Sequence, residues 1–104
     1  MLFRSIGEFH FGALDRGVLH PGLRPVKDQA QRAEAYALFT RSALKNPFIV
    51  GTHWFTYSAQ PTTGRFDGEN YQIGLVDVCD TPYRELVAAI RKTGSELSET
   101  RWEA

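Results

Sequence analysis

The chain has 104 residues, 42% of them hydrophobic and 23% charged, which is room for one domain with a modest core and excludes the disordered, collagen-like and low-complexity classes. Twelve Lys and Arg balance twelve Asp and Glu, so no overall field draws phosphate backbones or anionic lipid, and neither nucleic acid nor a membrane is an expected partner. No apolar run approaches the roughly 20 residues that span a bilayer, the first residues lack the basic flank and apolar run of a secretory signal, and Cys79, the single cysteine, allows neither an internal disulfide nor a CxxC motif.

Taken in chain order, Leu2, Phe3, Ile6 and Phe9 predict a short strand that gives way at the text Gly7-Glu8-Phe9-His10-Phe11-Gly12. Gly17, Pro21, Gly22 and Pro25 interrupt every period over 13–27 and predict a loop. Asp28 then offers an N-cap oxygen with Gln31 three residues on. Ala30, Ala33, Ala37 and Leu44, joined by Tyr36 and Ala43, mark one face of a helix that runs to about Asn46. Pro47 stops it, because the residue before proline is pushed out of the α region. The β-branched and aromatic run 48–55 has the length of a buried strand.

Segment 57–80 carries Pro61, Gly64, Gly68 and Gly74 and is far longer than the usual connection of about 4 to 6 residues. Phe66, Tyr71, Ile73, Leu75, Val76 and Val78 within it predict order and leave room for a short extra strand. Thr81 as N-cap and Pro82 at the first helical position open a second helix. Leu86, Ala89, Ile90 and Leu97 form its stripe, and it is expected to fray after Gly94.

Strand, helix, strand, helix with a short return is the layout of an α/β fold of two parallel βα units, with a right-handed crossover. The long loops both follow strands, which is where barrels of this kind carry their chemistry. An eight-stranded barrel takes about 250 residues, so the chain holds a quarter of one. At the strand ends, Glu8 stands among Phe9, His10 and Phe11, and Trp54 occupies the corresponding place on the second strand. A carboxylate beside an aromatic platform suits sugar chemistry. The ring packs on the C–H face of a pyranose while the carboxylate meets positive charge growing at the anomeric carbon.

The texts IGEFHFG and NPFIVGTHWFTYSAQPTTGRFDGENYQIGLVDVCDTPY, with the closing helix, resemble the C-terminal end of clan A glycoside hydrolases, nearest to the β-agarase-like families. The resemblance implies a (β/α)8 TIM barrel of which this chain, 1–104, supplies the units of strands seven and eight as an incomplete, C-terminal fragment. It implies retaining hydrolysis of β-glycosidic bonds in a polysaccharide, with Glu8 as nucleophile and Trp54 as the floor of the subsite for the cleaved sugar. It also implies that His10, His53, Gln60, Arg65, Asp67, Glu69 and Asn70 face the saccharide cleft as substrate-binding residues. Neither a cofactor nor a metal is implied. The general acid of such enzymes sits at the end of strand four, usually as an Asn-Glu pair, and no counterpart stands in this chain. The chain alone is therefore expected to be inactive, its late start reads as a fragment or truncated frame, and no compartment is assigned, although related enzymes are often secreted or periplasmic.

Blander readings stand beside these. His10, His20 and His53 with Asp15 match no closed zinc spacing. Cys79, flanked by acids that disfavour its thiolate, reads as a buried structural thiol. Arg65 is suited to pair with Asp67 or Glu69 and lock its loop without touching ligand. The alternative functions are a noncatalytic saccharide-binding remnant that stacks sugars on Trp54, Tyr57, Phe66 and Tyr71, and a self-associating barrel remnant. Open strand edges predict a homo-oligomer or association with the missing barrel portion.

Overall fold

Two six-residue strands and the helix between them set the frame. In the computed structural model, which describes residues 2–16, 20–61, 65–67 and 70–102, the elements are β1 (Arg4–Phe9), α1 (Gln29–Lys45), β2 (Ile49–Trp54), α2 (Arg84–Ser95) and α3 (Leu97–Trp102). β1 and β2 pair in parallel, the arrangement that a crossover helix such as α1 makes possible. Pairing steps from Ile6↔Thr52 to Phe9↔Trp54, so three residues on β1 span two on β2 and the surplus falls at Gly7-Glu8. Such a bulge bends a strand and re-aims a side chain.

No residue of either strand is buried, which corrects the expectation of a buried second strand. Val50 is 64% exposed and Phe3, just before β1, 62%. Among the described residues the sheet has only these two strands, and a two-stranded sheet cannot cover itself.

α1 starts where the sequence predicts. The Asp28 carboxylate accepts the Gln31 backbone N–H at 2.8 Å as the N-cap, and the Gln31 side chain turns back to accept the N–H of Lys27, one residue before the cap. It stops at Asn46, whose backbone is already extended before Pro47. The buried face differs from the predicted alanine stripe. Gln29, Arg32, Thr40 and Ala43 point inward while Ala30 is exposed, because polar partners in the loops claim the first turns of the helix.

Parts of the long segment, 59–60 and 72–76 above all, pack against α1 and α2. Ile73 and Val76 are buried, and Ala59 joins Tyr83 and Leu86 in the core, with Tyr36, Trp54, Leu75 and Ile90 against it. The expected extra strand is reduced to isolated bridges, Ser58↔Val76 and His20↔Tyr71 among them. Close approach explains two glycines: a Cβ on Gly74 would lie 2.0 Å from the Ala59 nitrogen, and one on Gly12 would lie 1.9 Å from the Pro21 oxygen.

The closing helix differs from expectation at both ends. Tyr83 is its N-cap and offers no side-chain hydrogen bond, so Thr81 and Pro82 precede the helix rather than open it. Val76 instead pairs with Pro82, and the Tyr83 N–H donates to the Leu75 carbonyl, which holds that stretch as part of the loop layer. At the far end the chain does not fray at Gly94 but turns at Glu96 into α3. Arg101 on α3 donates to the carbonyls of Leu44, Asn46 and Ile49 at 2.9, 2.9 and 3.0 Å and to that of Pro47 at 3.2 Å. A fixed cation thereby closes the C-terminus of α1 and its turn into β2. Among the described residues no helix is long and apolar enough to cross a membrane.

Arg101→Ala is expected to lower stability by about 1 to 2 kcal/mol, read as a shifted urea midpoint. Faster amide exchange is expected first at the α1–β2 turn.

Candidate functional site at the strand ends

The C-terminal ends of β1 and β2 are tied by the Phe55 N–H, which donates to the Phe9 carbonyl at 2.9 Å. Beside them, Glu8, His10 and Phe11 line an open cavity of about 610 Å³ with Leu23, Arg24 and Val26 of the loop that follows β1. The bulge delivers Glu8 to this cavity. Its side chain is exposed and makes no hydrogen bond or ion pair with any described residue.

His10 is held by the same loop. Its Nε2 accepts the Leu23 backbone N–H at 3.0 Å, which assigns the proton of the neutral ring to Nδ1. The loop reaches it because Gly22 adopts a positive φ of 81°, and a Cβ there would stand 2.7 Å from His10 Nε2. The His10 ring lies 6.5 Å from Phe55 and 6.2 Å from Tyr71, and Tyr71 stacks on His20 at 4.6 Å.

The other candidates separate into groups. Trp54 faces α1: its ring meets Phe9 edge-on at 5.3 Å and Tyr36 at 5.9 Å, and its indole N–H donates to the Ile73 carbonyl at 2.9 Å. His53 is exposed, and its Nε2 lies 3.6 Å from where a Cβ on Gly51 would stand. Gln60 is buried, and its Oε1 accepts the Tyr71 backbone N–H at 2.8 Å while its own N–H reaches the Tyr71 carbonyl, so this side chain ties the two halves of the long loop. Arg65 grips Asp67 with two parallel bonds of 2.9 Å, the loop lock the residue types predict. Asn70 is half-buried next to Tyr71. Glu69 lies outside the described residues, as do Gly17, Gly64 and Gly68.

Cys79 is exposed, which corrects its reading as a buried thiol. The Asp77 Oδ1 accepts both the Cys79 and the Thr81 N–H, at 2.8 and 2.9 Å, and the turn this builds carries Cys79 outward. Among the described residues no three His, Cys, Asp or Glu side chains come together as a metal site.

Sequence reasoning missed the network that holds these loops. Arg32 is fully buried. Its Nε donates to the Phe11 carbonyl at 2.8 Å, its Nη1 to Gln29 Oε1 at 2.8 Å and its Nη2 to the Gly74 carbonyl at 2.7 Å. The guanidinium carbon stands 5.7 Å from the centre of the Trp54 ring and 5.0 Å from that of Tyr83. Gln29 carries the contact onward, donating to Asp15 Oδ1 at 2.9 Å and to Gln72 Oε1 at 3.0 Å. Burial lowers the Arg32 pKa to about 10, while the charges of Tyr83 and Asp15 act to raise it. Burial also pushes the Tyr83 hydroxyl up, with Gln72 and Arg32 opposing. For Asp15, partial burial would raise the pKa, but hydrogen bonds from the Gln29 side chain and backbone, aided by Arg16, leave it below 3.8. The available signal was spacing: Gln29, Arg32, Tyr36, Thr40 and Ala43 recur at three- and four-residue steps, the period of one helix face.

No protein-family model matches the chain. It is 46% identical over 98 residues to Beta-agarase B of Vibrio sp. (strain JT0107), a match that covers 93% of this chain and 10% of the relative. With Beta-agarase A of the same strain it shares 46% identity over 88 residues, 84% of this chain and 9% of the relative. The solved structure of an exo-beta-agarase superposes with a TM-score of 0.91 at 49% identity, over 93% of this chain and 14% of that one. The chain thus spans about a tenth of the length of the curated relatives it matches.

Two outcomes are expected from the buried network. Arg32→Met removes the donors of two loop carbonyls and destabilises the fold by about 3 kcal/mol or more, measured by urea denaturation. The Asp15 carboxyl is expected to titrate below the ordinary aspartate range, read by NMR. A carboxyl whose folded pKa is depressed gives stability that is present above the unfolded value and lost as pH falls through the folded one. Asp15→Asn is therefore expected to flatten the loss of stability below about pH 4.

Proposed function

We propose that this chain, homologous to one segment of the β-agarases and so to part of a glycoside hydrolase, is the segment of such an enzyme that supplies the attacking carboxylate. In this reading β1 and β2 are the seventh and eighth strands of a (β/α)8 barrel, near its C-terminal end, and the reaction is retaining hydrolysis of a β-glycosidic bond in a polysaccharide. Glu8 attacks the anomeric carbon and forms a covalent glycosyl ester, while a carboxylic acid about 5 to 5.5 Å away protonates the departing oxygen. That same group then takes a proton from water, the water oxygen attacks the anomeric carbon, and Glu8 is released. The acid comes from outside these 104 residues, so the chain works in association with the rest of a barrel.

The observation that carries this reading is the state of Glu8: exposed at a bulged strand end, unpaired with any described residue, and lining the 610 Å³ cavity. A carboxylate with no ion pair to break is open to an electrophilic carbon. His10, fixed by Leu23, lines the same cavity. Trp54 supports this end of β2 from the α1 side and forms the wall behind the sugar rather than a free shelf. His53, Gln60, Arg65, Asp67, Glu69 and Asn70 belong to the strand end and loop that border the cleft. Of these, Gln60 and Asp67 serve it by shaping the loop.

The test is a chimera in which this segment replaces the matching stretch of a β-agarase. The chimera is expected to cleave agarose oligosaccharides. Glu8→Gln lowers kcat on the order of a thousandfold or more, and azide restores turnover in Glu8→Ala while inverting the product. Full activity in Glu8→Gln removes Glu8 from the chemistry. Saccharide binding without turnover, unchanged in Glu8→Gln, supports the noncatalytic binding reading instead.

A further inference from the structure

We infer that Phe66, with the Arg65 guanidinium laid against it, is the outer end of a saccharide-binding shelf that runs through Phe55 to His10 and the Glu8 cavity, and that its ligand is a chain of neutral sugars. The inference rests on the glycoside-hydrolase reading and deepens it by assigning a binding surface away from the reacting bond.

Phe66 is 96% exposed. Single exposed apolar residues are ordinary, so exposure alone assigns nothing; the manner in which this ring is held does. Arg65 and Asp67, the residues on either side of it, are joined by a bidentate pair with both bonds at 2.9 Å, a geometry that fixes the backbone between them. The same guanidinium carbon lies 5.5 Å from the Phe66 ring and 5.8 Å from the Phe55 ring, so one cation spans both rings. Phe55 is next after the last residue of β2, and its ring stands 6.5 Å from His10. His10 lines the cavity with Glu8. Phe66, Arg65, Phe55 and His10 therefore form one continuous row, and its inner end is the candidate nucleophile.

The chemistry of the row selects its occupant. Aromatic faces pack on the apolar C–H faces of pyranose rings, and guanidinium and carboxylate edges between them meet hydroxyls as donors and acceptors. With the Arg65 guanidinium paired to Asp67 and the Glu8 carboxylate at the inner end, the row favours a neutral polymer over an anionic or sulfated one.

The chain is titrated calorimetrically with an agarose disaccharide and an agarose hexasaccharide. Phe66→Ala is expected to weaken the hexasaccharide roughly tenfold and to leave the disaccharide and the melting temperature unchanged. Phe66→Trp is expected to keep hexasaccharide affinity, and its indole emission shifts as sugar is added. Equal hexasaccharide affinity in Phe66→Ala and the parent chain overturns the shelf, and so does parallel loss of both sugars. Tighter binding of a sulfated hexasaccharide overturns the neutral ligand. Self-association that Phe66→Ala abolishes overturns a sugar as the occupant. A parent chain that binds neither sugar overturns the shelf as a surface that these residues form, and leaves turnover in the chimera to decide the glycoside-hydrolase reading.

Discussion

The buried guanidinium of Arg32 is the contact on which the rest of the structure depends. Taking an isolated charge out of water costs several kcal/mol even after relaxation, and among the described residues no carboxylate bonds to it. The compensation is distributed. Two loop carbonyls and the Gln29 amide accept its protons, the Trp54 and Tyr83 rings stand 5.7 and 5.0 Å away, and Gln29 links it to Asp15. Its pKa falls to about 10 through burial and stays well above neutral pH, so the charge persists and every acceptor must remain in place. Phe11 lies just beyond β1, Trp54 ends β2, Gly74 belongs to the long loop and Tyr83 caps α2. One side chain from α1 therefore sets the relative position of all four pieces from which the site is made.

This dependence explains which parts of the fold were legible in the sequence. Elements determined by local chemistry were: the Asp28 cap, the Pro47 stop and the β-branched run of β2 each act within a few residues. The packing of α1 was not, because its inward face is polar. Hydropathy read the alanines as the core stripe, yet Gln29 and Arg32 are the most deeply buried residues of the helix, and their partners are 14 to 43 residues away along the chain. The same long-range pairing places Thr81 and Pro82 in the loop layer instead of at the helix start. At the site, the prominence of Glu8 at a strand end was visible in the text. The alternate sides of β2 were not assignable until the register and its bulge were known, because a single surplus residue reverses which side chains share a face.

Two glycines show how tightly the loop layer is drawn. A Cβ on Gly74 or Gly12 would meet backbone atoms at about 2 Å, so no side chain could be accommodated by a rotamer change, only by moving the chain. Gly74 also contributes the carbonyl that Arg32 holds. Steric need and hydrogen-bond need thus coincide at one residue. The loop over 70–76 is fixed to α1 from beneath and to the stretch 57–60 from the side, and the ring of Tyr71 is carried to His10 and His20 by that double constraint.

The contrast between Arg32 and Glu8 gives the site its logic. Around Arg32 each guanidinium nitrogen has an acceptor, the side chain is desolvated, and little can move without breaking one of these bonds. Glu8 stands a few residues from the Phe11 carbonyl that Arg32 grips, yet it is exposed and makes no hydrogen bond or ion pair with another described residue. The glycoside hydrolysis proposed for Glu8 would need both conditions at once: a rigid frame so that the attacking oxygen is aimed, and an uncommitted lone pair so that attack costs no ion pair. A bulge over a parallel strand pair, with its far end bonded from Phe55 to Phe9, meets both, because it takes the carboxylate out of the ladder while the ladder continues on either side. In the proposed reading such a carboxylate still requires a second acid at the right distance, and a two-stranded sheet whose faces stay uncovered among the described residues is suited to joining a larger frame that would supply one.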